Sequence, residues 1–324
     1  MKATRQGDGT AKARRPVVMV TAPLHHRAMS LLEEFAEVRV ARSPRPDDLR
    51  AAAAGAHAII VRDPLPDDVG DHARCLKAVV RHGTGLDFIP VERLTKAGVR
   101  VANVPSANVQ SVAEHVIACL FLLTRRLDHQ DRQVRAGNWV VRNEARRELA
   151  GRTLGLVGFG RIARRVAQLA QALGMNVIAF SRAGAGMDAG VSSVGLDELL
   201  TTSDVVSLHV PLTSETRALI DARALSLMKP TAFLVNTARG AIVDEQALAD
   251  HLRAGRLSGA AIDVFADQPI EREHPFISLP NVVLTPHSAA MTEDAMLRMG
   301  LQSVEEVRLA LKGEASPNVV NAIP

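Results

Sequence analysis

From Pro16 onward, short apolar runs alternate with stretches whose apolar residues return every three or four positions. "VVMVTAP" reads as a buried strand and "HHRAMSLLEEFA" as a helix. "VRV" follows as a short strand, "PDDLRAAAAG" as a helix opened by Pro46 and Asp47, and "AHAIIVR" as another strand. The strands "LKAVVRHG" and "VRVAN" continue the series, with "VERLTKAG" helical between them. A long helix is expected from Ser111 to Ala136, apolar over "VAEHVIACLFLL" and basic beyond it. After a linker-like "GNW…ELAGRT" the alternation resumes with "TLGLVG", "RIARRVAQLAQALG", "NVIAFS", "LDELLTTS", "DVVSLHV", "TAFLVN", "DEQALADHLRAG", "LSGAAIDVF" and "NVVLTPH". A last helix, "EDAMLRMGLQSVEEVRLALKG", closes the chain. Strands that alternate with helices predict parallel sheets joined by right-handed crossovers, an α/β fold.

Composition narrows the function classes. The 324 residues are 47% hydrophobic with mixed charge, a globular balance long enough for two domains. No uninterrupted apolar run of about 18 residues is present, so no membrane span is expected. The N-terminus lacks the apolar core of a signal peptide, and Cys75 and Cys119 form neither a disulfide framework nor a metal-site spacing. A reducing, cytoplasmic setting is the expectation, with no metal. The formal charge of +4 is carried by the tail, where Lys2, Arg5, Lys12, Arg14 and Arg15 face only Asp8. Residues 1–15 are therefore expected to be a flexible basic tail. Aromatic residues make up 3% of the chain, with no tyrosine, so stacking platforms for nucleic acid are scarce and no nucleic-acid partner is expected.

The chemistry begins at Gly158-x-Gly160-x-x-Ala163, between an apolar strand and an amphipathic helix. Gly158 permits the tight turn, Gly160 lets backbone approach a pyrophosphate, and the small Ala163 lets helix and strand pack closely. The helix then aims its first amides at the phosphates. About 20 residues further on, where a carboxylate usually holds the ribose of NAD, the next strand ends in Ser181-Arg182. Serine removes the repulsion toward a 2′-phosphate, and arginine offers planar, charged donors to it. Arg161 in the turn is close enough in sequence to help. NADP(H) is the preferred cofactor on this reading, with NAD(H) second; a solvated loop arginine is the bland alternative.

Three segments follow strands in the second half: "LVNTARGAIVDE", "AAIDVFADQP" and "NVVLTPHSAAMTEDA". Arg239 can bind a substrate carboxylate in bidentate fashion. His287, fixed by Pro286, can act as general acid and base. Taken singly, each is more often a surface arginine or a structural histidine.

Taken together and in this order, the segments resemble the D-2-hydroxyacid dehydrogenase family, from about Val17 to the C-terminus. "RHGTGLDFI", "NVPSANVQSVAEHV" and "HVPLTSETR" carry the likeness further. The resemblance implies a flavodoxin-like substrate domain split between residues 16–107 and 292–324. A Rossmann domain for NAD(P), residues 108–291, is inserted into it. It implies a homodimer formed through the long-helix region and a small carboxylate substrate such as glyoxylate, hydroxypyruvate or 3-phosphoglycerate. Arg239 then holds the substrate carboxylate and polarises its keto oxygen, and His287 is the acid that protonates it. Asp263 orients the nicotinamide carboxamide. Ile162, His209, Val210, Pro211, Thr216, Thr237, Ala238 and Ser111 join the cofactor contacts. Arg62, Gly83 and Thr84 belong to the substrate side.

One position departs from the pattern. Where the family usually has glutamate before the proline of "DVFxxEP", this chain has Gln268, which can orient His287 but supplies no charge. Asp267 and Glu271 are nearby carboxylates whose direction sequence leaves open. Formate dehydrogenases of the same superfamily also use glutamine there, so a formate-dehydrogenase-like enzyme stands as an alternative. A non-catalytic, dinucleotide-sensing protein is a second alternative.

Overall fold

The computed structural model describes residues 15–182 and 190–323. Apart from Arg15, the expected basic tail lies outside them. The chain divides into two compact units, residues 1–105 with 297–324 and residues 106–296.

The first unit contains β1 (Val17–Val20), α1 (His26–Glu33), β2 (Glu37–Val40), α2 (Pro46–Ala53) and β3 (Ala58–Val61). It continues with α3 (Val69–His72), β4 (Ala78–Arg81), α4 (Val91–Lys96) and β5 (Arg100–Ala102). All five strands are parallel, in the order β2-β1-β3-β4-β5, which is the flavodoxin-like order. β3 is buried at every position, as a strand covered on both faces by helices should be.

The second unit opens with α5 (Val109–Arg125) and α6 (Leu127–Arg135). Then come β6 (Thr153–Val157), α7 (Arg161–Ala172), β7 (Asn176–Phe180), β8 (Val191–Ser193), α8 (Leu196–Thr202) and β9 (Val205–Leu208). The unit continues with α9 (Ala222–Leu227), β10 (Phe233–Asn236), α10 (Glu245–Arg253), β11 (Gly259–Ile262) and β12 (Val282–Leu284). Its seven parallel strands run β12-β11-β10-β9-β6-β7-β8. Counted from β6, that is the doubly wound Rossmann order with one strand added. The strand order reverses between β6 and β9, which opens a crevice at their carboxyl ends.

α11 (Glu293–Lys312) contains the second boundary between the units. Val304 and Val307 of α11 are fully buried in the core that holds Val18, Val20 and Ala28. Gly300 is required there, since a Cβ on it would lie 2.6 Å from the Cβ of Ala28. Beyond α11 the chain forms an antiparallel bridge from Val319 to Ala102, and Asn321 accepts from the Val101 amide at 2.8 Å. The C-terminal piece thus completes the sheet edge and the core of the first unit.

The single long helix expected from Ser111 to Ala136 is corrected to two. Arg126 has φ 50°, a left-handed residue that ends α5, and α6 starts immediately after it. The physical reason is the loss of a core to follow. α5 buries Val112, Val116, Leu120 and Leu123, whereas α6 buries none of its residues. Among the described residues, no helix is long and apolar enough to cross a membrane.

Candidate active site

The glycine-rich turn lies at the reversal point of the second sheet. Its neighbours grip it on both sides. The Gly158 amide donates to the carbonyl of Phe180 at 2.8 Å, and the His209 amide donates to the carbonyl of Val157 at 2.7 Å. Gly158 has φ 93°, and a Cβ there would sit 2.7 Å from the His209 carbonyl oxygen. Only glycine fits, for backbone conformation and for space. Gly160 differs: it caps α7 with φ −84°, and a Cβ there would meet nothing within 4 Å. Its smallness serves no internal contact, so it keeps space open in front of the α7 amides. Arg161 is exposed in the first turn of α7, Ile162 packs against the core, and Ala163 is fully buried.

The remaining sequence-predicted cofactor residues line the same strand ends. Ser181 is half-buried, and Arg182 is exposed with its Nη1 donating to Oε2 of Glu215. His209 shares a hydrogen bond with Ser207 Oγ at 2.9 Å, and burial pushes its imidazole down to about 4, so it is neutral at pH 7. Val210 packs on the core and Pro211 is exposed. Thr216 serves its own turn: its hydroxyl donates to the Pro211 carbonyl at 2.6 Å and accepts from the Thr213 amide at 2.7 Å. Ala238 donates its amide to Asn236 Oδ1 at 3.0 Å. Thr237 Oγ is buried with no hydrogen-bond partner. A buried hydroxyl left so costs roughly 1–3 kcal/mol, which a ligand group bonded to it would recover. The open space before α7, a neutral His209 and the unpartnered Thr237 hydroxyl together fit a dinucleotide.

β10, β11 and β12 are adjacent, and their carboxyl ends carry the catalytic candidates. Asn236 is almost fully buried and shapes the first turn, its Nδ2 donating to the carbonyl of Arg239 at 2.9 Å. Arg239 is half-buried and its Nη1 reaches back to the Ala238 carbonyl at 2.6 Å. Gly240 is packed so tightly that a Cβ would lie 1.9 Å from the carbonyl carbon of Phe265. That backbone contact joins the Arg239 turn to the segment leading to Gln268. Gln268 Nε2 donates to the Phe265 carbonyl at 3.2 Å, which fixes the amide's orientation. Its Oε1 therefore faces Nδ1 of His287, 2.9 Å away. An amide oxygen only accepts, so Nδ1 carries the proton in this contact.

His287 sits in a left-handed conformation, φ 54°, at a cost of roughly 1–3 kcal/mol for a side chain with a Cβ. Asp263 holds it there. The Asp263 carbonyl accepts from the His287 amide at 2.7 Å. Its carboxylate, 1% exposed, accepts from Thr285 Oγ at 2.6 Å, from the Ser288 amide at 2.8 Å and from the Ala289 amide at 3.0 Å. Ser111, in the first turn of α5, donates to the carbonyl of Ala289 at 2.7 Å. One residue of this network escaped the sequence reading: His115 Nε2 lies 3.3 Å from Thr285 Oγ and 3.9 Å from Asp263. Its place in "NVQSVAEHV", one helical turn after Ser111, was the available signal. Cys119, a further turn along, is inert as a nucleophile. Burial, with a smaller push from the Asp263 charge, raises its thiol to about 12.

Arg62, Gly83 and Thr84 belong to the first unit. Arg62 follows β3, its amide donating to Thr21 Oγ at 2.8 Å and its Nη1 to the Pro23 carbonyl. Gly83 has φ 142° and its carbonyl accepts from the Val104 amide, while the carbonyl of Thr84 accepts from Asn103 Nδ2. Arg81 spends donors on the carbonyls of Val61, Arg62 and Gly85 and lies over the Phe88 ring, so it braces this loop.

Comparison with known proteins decides the family. Residues 117–289 match the family described as "D-isomer specific 2-hydroxyacid dehydrogenase, NAD binding domain". The chain belongs to the D-2-hydroxyacid dehydrogenase family. It is 39% identical over 311 residues to the D-3-phosphoglycerate dehydrogenase of Mycobacterium tuberculosis, covering 94% of this chain and 59% of that protein. This chain therefore spans about three-fifths of the length of such curated relatives. It is 38% identical over 323 residues to the glyoxylate reductase of Aeropyrum pernix, covering 95% and 96%. Among solved structures it resembles an NADPH-dependent glyoxylate/hydroxypyruvate reductase from Sinorhizobium meliloti, in complex with NADP and malonate. That match has a TM-score of 0.85 and 29% identity, and covers 94% of this chain and 97% of the other.

The two glycines of the turn give a separable prediction. Gly160→Ala should leave the melting temperature of the ligand-free protein within about a degree, since its φ suits alanine and its Cβ meets nothing, yet weaken dinucleotide binding at least tenfold. Gly158→Ala should lower both. Thermal unfolding and calorimetric titration on the two variants check it, and a Gly160→Ala protein that binds normally would refute the assignment of the turn.

Proposed function

We propose that this chain is an NAD(P)-linked oxidoreductase, NADP(H) preferred, interconverting a small 2-keto acid and its D-2-hydroxy acid. The observation that carries the reading is the His287–Gln268 pair, hung on buried Asp263 at the carboxyl ends of the strands beside Arg239. The relatives named as reductases and dehydrogenases support the reaction class, and the solved NADP complex supports the cofactor. Glyoxylate and hydroxypyruvate are the favoured substrates. Arg62 and Arg81, the candidate extra cations for a phosphorylated acid, already donate to backbone carbonyls.

The nicotinamide, when bound, supplies or accepts the hydride. Arg239 pairs with the substrate carboxylate and draws charge from its keto oxygen. His287 holds on Nε2 the proton that this oxygen takes in reduction, and recovers it in oxidation. Gln268 keeps the ring in register in both protonation states, because its oxygen accepts from Nδ1 in either. Asp263 acts chiefly by holding residues 285–289. Arg161, Ile162, Ser181, His209, Val210, Pro211, Thr216, Thr237, Ala238 and Ser111 are the proposed surroundings of the dinucleotide. Arg62, Gly83 and Thr84 are proposed substrate contacts on the family resemblance.

A homodimer is also proposed. Leu127 and Val134 of α6, with Trp139 and Val140 after it, are large exposed apolar side chains in the unit's α5–α6 region. Covering them suits a second copy better than water. Light scattering on the full chain should give about twice the monomer mass; a monomer at micromolar concentration would refute it.

The function is tested by initial rates with NADPH and NADH side by side, against glyoxylate, hydroxypyruvate and formate with the oxidised cofactors. Faster turnover of keto acids at low NADPH is expected, with a loss of at least a hundredfold in kcat/KM for Arg239→Ala and for His287→Ala. Turnover of formate alone would transfer the chain to the formate-oxidising branch, and no turnover with any of them would favour a sensing role.

Gln268 yields a pH test. A carboxylate beside Nδ1 favours the protonated ring, and a neutral amide does not. Keto-acid reduction needs that protonated ring, so Gln268→Glu should carry the reductive rate about one pH unit further into the alkaline range, equal to about 1.4 kcal/mol of added stabilisation. Superimposable pH–rate profiles of the two proteins would defeat this account.

A further inference from the structure

We propose that Glu215, in the loop after β9, stands in for the carboxylate absent from the end of β7. Its ion pair with Arg182 then makes the adenosine 2′ position a site that accepts either a hydroxyl or a phosphate. The proposal rests on the dinucleotide reading above and assigns the residue that sets how strongly the site discriminates.

The placement comes from the sheet. β7 and β9 are the two strands that flank β6, pairing with it on opposite sides. Arg182 follows β7 and Glu215 follows β9, so the segments that carry them leave the sheet on either side of the Gly158–Gly160 turn. The structure brings the two side chains together, Arg182 Nη1 donating to Glu215 Oε2. The Glu215 backbone is fixed by its buried neighbour Thr216, whose hydroxyl bonds the Pro211 carbonyl and the Thr213 amide.

Charge and exposure then set the behaviour. With the pair closed, the arginine neutralises Glu215, and a carboxylate oxygen is available to accept from a ribose 2′-hydroxyl, as a strand-end acid does in NAD-binding folds. A 2′-phosphate competes for the same guanidinium and carries more charge than a carboxylate. It also repels Glu215, because the two anions meet at one arginine, so a bound phosphate favours opening of the pair. The side chains of Arg182 and Glu215 are 64% and 66% exposed, so the pair is screened by solvent and easily opened. Arginine without Glu215 would be a plain phosphate site; with it, discrimination against NAD is moderated.

Calorimetric titration of NAD⁺, NADP⁺, 5′-AMP and adenosine 2′,5′-bisphosphate into the wild-type chain, Glu215→Gln and Arg182→Ala tests this without turnover. Glu215→Gln should bind the two 2′-phosphorylated ligands about three- to tenfold more tightly and NAD⁺ correspondingly less tightly. Arg182→Ala should lose affinity for the 2′-phosphorylated ligands only. If Glu215→Gln moves the two dinucleotides together, or neither, the proposal is overturned while the dinucleotide site stands. If the wild-type protein binds neither dinucleotide, the site reading itself fails and this proposal falls with it. Circular dichroism of both variants, each altered at an exposed side chain, separates a binding change from a folding defect.

Discussion

The candidate site depends on one buried carboxylate. Asp263 gives up its hydration to sit at the end of β11, a change that costs several kcal/mol unless donors replace the lost water. Three donors do so, and all three come from residues 285–289. The same residue's carbonyl takes the His287 amide. The turn after β12 is thus organised around Asp263 as a ligand is around an ion, and the left-handed strain of His287 is offset by these bonds. Ser111 and His115 extend the arrangement to α5, so the histidine loop is held from the sheet and from a helix far away in sequence.

A second constraint is steric. Gly158 against His209, and Gly240 against Phe265, are contacts where backbone meets backbone with no room for a side chain. They lie at strand ends along one side of the same parallel sheet, and they fix the spacing of the loops that carry Arg161, Arg239 and Gln268. A doubly wound sheet leaves a crevice where its strand order reverses. The Gly158 turn lies at that reversal, with the space in front of Gly160 clear.

Much of this was legible in the sequence. Buried parallel strands are continuous apolar runs, and β3, β9, β10 and β11 announced themselves as such. Gly158, Arg239 and His287 were readable because each follows an apolar strand, β6, β10 or β12, within a few residues. The break between α5 and α6 was not, since "TRRLDH" contains no glycine or proline to mark a stop. Only the absence of a core under α6 ends the first helix at Arg126. Glu215 was illegible for a different reason, and His115 was marked only by its spacing from Ser111. Their contacts are to Arg182 and Thr285, far along the chain, and residue type does not name such a partner.

The geometry also gives Gln268 a meaning that its identity alone does not. Its amide is pinned by the Phe265 carbonyl, so it presents oxygen, never nitrogen, to His287. A glutamate in the same position would offer the same acceptor and add a charge. The glutamine therefore separates two effects that a carboxylate combines, holding the ring and favouring its proton. What remains here is the holding. In the role proposed for His287, no charge on residue 268 favours the imidazolium, and that part of the balance is left to the rest of the loop and to the substrate. On that proposal the proton's affinity is tied to the molecule the site acts on, which is where a transition-state interaction belongs.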